Sequence, residues 1–102
     1  MFYNVLELKD LLDEGKNELF EKRVLLEHGD SSLSAIWLKK HEVLDSHISV
    51  CDACAYVYEG EAEFHFAAEK FTLKKGELIM FKKEEEHKVL ALKDTKFLLI
   101  KI

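Results

Sequence analysis

Proline is absent from this chain, and glycine occurs only four times in 102 residues. An average chain of that length carries about five prolines and seven glycines. The shortage excludes collagen-like, proline-rich and glycine-serine linker sequences. It also makes each of Gly15, Gly29, Gly60 and Gly76 a candidate fixed bend. Cysteine occurs twice, at Cys51 and Cys54, too few for a disulfide scaffold. Long apolar runs are missing: the longest, Ala53–Tyr58, falls far short of the roughly 20 residues of a membrane-spanning helix. Positive charge is in deficit, with fifteen Lys plus Arg against twenty Asp plus Glu and a net charge of −5. The lysines are interleaved with glutamates, so no basic patch is available for phosphates, and nucleic acid is excluded as a partner. The opening residues, Met1 to Glu7, lack the basic and apolar regions of a signal peptide, and a cytoplasmic location is expected.

What is present is an ordinary globular balance, 48% hydrophobic and 34% charged, enough for one domain over residues 1–102. Val5, Leu8, Leu11 and Leu12 stand at helical spacing and predict one short amphipathic helix over about residues 4–15, with Asn4 as N-cap and Gly15 as the stop. From about residue 20 to 102 the pattern changes to short apolar runs. Strands are expected at Phe20–Glu27, Leu33–Lys39, Ala53–Glu59, Glu61–Ala67, Lys70–Lys74, Leu78–Phe81, His87–Leu92 and Phe97–Ile102. Short strands at this spacing, with no crossover helix between them, define an all-β, antiparallel sandwich or barrel.

Residues His41 to Ala91 carry a finer pattern. One spacing runs through His41, His47, Ser49, Ala53 and Gly60; a second runs through Gly76, Lys82, Glu84, His87 and Ala91. This frame resembles the two motifs of the cupin family, G(X)5HXH(X)3-4E(X)6G and G(X)5PXG(X)2H(X)3N, and the chain is similar to small single-domain, RmlC-like members. The resemblance implies a double-stranded β-helix, or jelly-roll barrel, a small-molecule ligand and a homodimer. The family's metal site uses three histidines and a glutamate. Here only His47 and His87 keep their places, with Ser49 for the second histidine and Ala53 for the glutamate. Two imidazoles alone hold a divalent transition metal (Zn, Fe, Ni, Mn or Cu) weakly or not at all.

Strand alternation offers a substitute. If residues 47–53 are extended, His47, Ser49, Cys51 and Ala53 share one face, and His47, Cys51 and His87 form a three-ligand metal site. The alternative is that Cys51 is a small buried hydrophobe. Cys51-Asp52-Ala53-Cys54 is also a C-x-x-C; it lacks the helix of a redox motif, and a zinc site from His41, His47, Cys51 and Cys54 requires the segment to be a loop. The same register turns Ala55, Val57, Phe64, Phe66, Val89 and Ala91 inward and His65, Tyr56 and Tyr58 outward. The result is an apolar pocket with His47, Ser49, Cys51 and His87 converging at one end. Lys82 and Glu84, at the family's proline and glycine positions, imply an altered path for the loop before His87, and Glu84-Glu85-Glu86 reads as a solvated turn.

The function that follows is a small-ligand-binding barrel, with or without a divalent metal held by His47 and His87; a structural or interaction protein with the barrel cavity packed shut is a further reading. The alternative is a metal-dependent enzyme of dioxygenase or isomerase type, in which His47 and His87 hold the metal.

Overall fold

A computed structural model describes residues 3–12 and 18–102. Among these residues the chain runs through β1 (Phe20–His28), β2 (Ser31–Leu38), β3 (Val43–His47), β4 (Ala53–Glu59), β5 (Glu61–Phe66), β6 (Lys70–Lys74), β7 (Leu78–Phe81), β8 (His87–Ala91) and β9 (Thr95–Lys101). Every pairing is antiparallel. The strands form a five-stranded sheet, β1-β2-β9-β4-β7, facing a four-stranded sheet, β3-β8-β5-β6. The expected jelly-roll barrel is the fold.

Its core follows from alternation. Ala53, Ala55 and Val57 of β4 and Ala62 and Phe64 of β5 point into the space between the sheets. The volume left by the alanines is filled: Phe64 and Phe97 meet edge-to-face with ring centres 5.6 Å apart, and Ile36, Leu38 and Val89 close around them. His65 faces outward as expected, with its Nε2 2.9 Å from Glu63 Oε1.

Two elements differ from expectation. β3 has no counterpart among the expected strands, because its sequence holds only two apolar residues in five and it lies at a sheet edge. Of the N-terminal helix expected over 4–15, the described residues show one 3-10 turn, Leu8–Asp10, with Glu7 rather than Asn4 at its N-cap position. Gly15, the expected stop, lies outside the described residues. The physical reason is docking. A short helix is marginal in water, whereas Leu11 and Leu12 bury themselves against Ala35 and Trp37 on the outer face of β2. Leu12 adopts a left-handed φ of 66° and is fully buried. The strap is fastened by Lys96, whose buried ammonium donates to the Lys9 carbonyl at 3.2 Å and pairs with Glu59 at 3.4 Å. No helix among the described residues is long and apolar enough to cross a membrane.

Candidate functional site

The end of the barrel where β3 stops and β8 starts brings the two motif histidines into register. β3 carries a bulge between Leu44 and His47, and beyond it His47 stands directly opposite His87. The His47 side chain lies outside the described structure, so its place here is its backbone register. His87 is buried at 4% exposure, and its Nδ1 lies 2.9 Å from the Glu85 carbonyl oxygen. A carbonyl can only accept, so Nδ1 carries a proton, and in the neutral ring the lone pair is then on Nε2. This is how a second hydrogen bond sets up an imidazole that accepts from, or ligates, something else.

Two rings hold the imidazole in place. Phe81 lies 4.5 Å away between ring centres and Phe66 5.9 Å away. Phe66 was expected to face inward; Phe81 was not singled out by any motif, because Leu78–Phe81 is apolar at every position and only the pairing with Ala53 turns Phe81 inward. Both phenylalanines also line a groove of about 760 Å³ between the free edges of β6 and β7. They form a shared wall between that groove and His87. One further polar group escaped the sequence reading: Ser34 Oγ is buried on β2 and has no hydrogen-bond partner among the described residues. Register places Ser34 on the inner face beside Leu99, one row in from the row that contains Phe81.

Ser49 and Cys51 do not complete a metal site. Residues 48–52 lie between strands, yet burial still alternates, with Ser49 and Cys51 buried and Ile48 and Val50 exposed. Both buried side chains are committed to the fold. Ser49 Oγ accepts the Cys51 amide at 3.0 Å, and the Cys51 thiol donates to the Asp30 carbonyl, 3.2 Å away in the β1–β2 turn. Ala53 has no donor atom. Cys54 pairs with Met80 and Ile100 on the opposite face of β4, and burial pushes its thiol up, away from the thiolate form. No group of three or more metal-ligating side chains occurs among the described residues. With Ser49 and Cys51 hydrogen-bonded within the fold and Ala53 without a donor, the motif positions leave two imidazoles, short of the three or four protein ligands of a transition-metal site.

The loop before His87 is latched to the loop before β4. The Glu84 amide donates to the Ser49 carbonyl at 2.9 Å, and the Lys83 amide to Asp52 Oδ1 at 3.0 Å. That amide and the neighbouring Lys82 ammonium hold the Asp52 carboxyl below its ordinary value. Glu84 has φ of 70°, so the left-handed turn that a glycine makes without strain is kept although the glycine is gone. The same is true of His41, at φ 75°.

Residues 36–102 match the cupin domain model, and the chain belongs to that family. No curated protein matches it. Among solved structures it is similar to a conserved protein of unknown function from Streptococcus pyogenes, 23% identical with a TM-score of 0.81 over 100% of this chain and 95% of that one. It is also similar to a cupin superfamily protein from Desulfitobacterium hafniense, 18% identical with a TM-score of 0.79 over 83% and 78% of the two chains. A cupin-2 domain protein from Shewanella frigidimarina is 26% identical, with a TM-score of 0.68 over 90% and 93%.

Proposed function

We propose that this cupin binds a small organic molecule in the groove between β6 and β7, against the rings that cover His87. The observation that supports it is the shared wall: Phe66 and Phe81 contact both the groove and an imidazole whose tautomer is set by the Glu85 carbonyl. A ligand in the groove packs on the rings that cover His87, and the Ser34 hydroxyl, without a partner among the described residues, lies deeper on the facing sheet. This reading needs no metal. Chemical-shift mapping with a library of small amphiphilic molecules tests it. Shifts are expected at Phe66, Phe71, Phe81 and His87, and Thr72→Trp, which fills the groove from β6, abolishes them. Shifts confined to other surfaces overturn the proposal. Stoichiometric metal that is lost in a His47→Ala, His87→Ala double variant moves the reading to the metal-dependent enzyme.

A second copy of the chain is the proposed partner. One row of the outer face of the five-stranded sheet is apolar from edge to edge: Leu26, Leu33, Ile100, Cys54 and Met80 are successive cross-strand neighbours. Its ends, Leu26 and Met80, are 61% and 76% exposed. Tyr56 sits in the next row, opposite Leu78 and Leu98, whereas Tyr58 is buried and is not part of this surface. Packing two such faces removes the exposed row from water. Light scattering after size exclusion is expected to give a dimer, and Leu26→Lys with Ile100→Lys a monomer.

A further inference from the structure

The groove between β6 and β7 combines three aromatic rings with three carboxylates. Phe66 stands at its centre, with Phe71 at 6.1 Å and Phe81 at 5.3 Å between ring centres. Glu69, Glu77 and Glu85 line it against a single cation, Lys82. That cation is engaged elsewhere, 3.6 Å from Asp52. Glu77 is engaged as well, accepting the Lys74 amide at 2.7 Å. Glu69 and Glu85 serve the fold through their backbones: their carbonyls accept the Phe66 amide at 2.8 Å and the His87 ring proton at 2.9 Å. Their carboxylates are left to set the potential of the groove.

Such a lining discriminates by charge. An anionic ligand is repelled by the carboxylates and loses its hydration over an apolar floor. A neutral ligand gains only the apolar contact. A cation is drawn by the carboxylates and by the negative faces of the rings together. We infer that the groove selects an organic cation, an ammonium group carried on an apolar body. The inference rests on the groove being the ligand site.

Three probes of similar shape test it: protonated 2-phenylethylamine, neutral 2-phenylethanol and anionic 3-phenylpropionate, each titrated calorimetrically into the full chain at low and high salt. The amine is expected to bind about tenfold tighter than the alcohol, with the advantage shrinking at high salt, and the carboxylate weakest. The double variant Glu69→Gln, Glu85→Gln keeps both backbone carbonyls and is expected to remove most of the amine's advantage over the alcohol, with the rings and Glu77 holding the remainder. If the alcohol or carboxylate binds as tightly as the amine, or the double variant leaves the amine unchanged, the cation assignment is wrong and the groove stands. If none of the three binds, the groove falls as a ligand site, and this inference with it.

Discussion

At one end of the barrel Gly60 and Gly76 hold φ of 87° and 91°, and around Gly60 the backbone is packed to contact. Thr95 Oγ1 accepts the Glu61 amide at 3.2 Å, and its proton is shared between the Lys93 and Glu61 carbonyls at 2.7 and 3.0 Å. At the other end, next to His87, the comparable turn is made by Glu84, and its fastening is a charged side chain, Asp52, holding the Lys83 amide from a partly exposed position. The glycine end is closed by close approach and buried hydrogen bonds. The histidine end is closed by a latch that water and acid can reach, and it holds the two motif histidines. Rigid closure at one end and looser closure at the end proposed to bind is the division expected of a scaffold that carries a site.

The largest effect that would sharpen this contrast is expected from Gly60→Ala. Its new Cβ would land on the Asp94 carbonyl and lie within 2.8 Å of Thr95 Cα, at a backbone angle that alanine resists. A loss of about 3 kcal/mol is expected from strain and overlap together, read as a melting temperature lower by about 12 °C or more. Gly76→Ala carries the same backbone angle with open space around the Cβ, so only about 1 kcal/mol is expected to be lost. Equal losses at the two positions would refute close approach as the distinguishing feature of Gly60. In the opposite direction, Glu84→Gly relieves a left-handed glutamate at about 1–2 kcal/mol, offset by about 0.5–1 kcal/mol of added freedom in the unfolded chain. A small net gain, about 0.5 kcal/mol, is expected by urea denaturation; a clear loss would mean that the Glu84 side chain itself holds the latch.

The smallest expected effect concerns pH. Asp52 is held below its ordinary value of 3.8, first by the Lys83 amide and then by the Lys82 charge. A depressed folded-state value means that its contribution is present above pH 3.8 and lost as pH falls through the lower, folded value. Urea midpoints measured from pH 6 downward are therefore expected to fall less steeply below pH 4 in Asp52→Asn than in the parent chain. Identical acid limbs would remove Asp52 from the latch.

Much of this was legible along the chain. Eight of the nine strands announce themselves as apolar runs bounded by turns, and the inward row of Ala53, Ala55, Val57 and Phe64 follows from a period of two. β3 was hidden because an edge strand with one bulge needs few apolar residues. The N-terminal helix was overread because Leu8, Leu11 and Leu12 satisfy a helical spacing while serving as anchors of a strap. At the site, His47 and His87 were marked by their spacing to Gly60 and Gly76. Phe81 as the ring against His87, and Asp52 as the partner of Lys83, 31 positions away, were not.

The sequence by itself determined the class of fold, the two sheet faces, the two histidines and the loss of two of the family's ligands, because alternation, turn chemistry and motif spacing are local properties of a chain. Only the tertiary structure decided that the Cys51 thiol lies against the Asp30 carbonyl, 21 positions away. It also decided that Leu12 fills a pocket beside Trp37, and that Phe66 and Phe81 separate a groove from His87. Each of these turns on which residues distant in sequence are brought within a few ångströms, and spacing along a strand carries no record of what the other sheet places opposite.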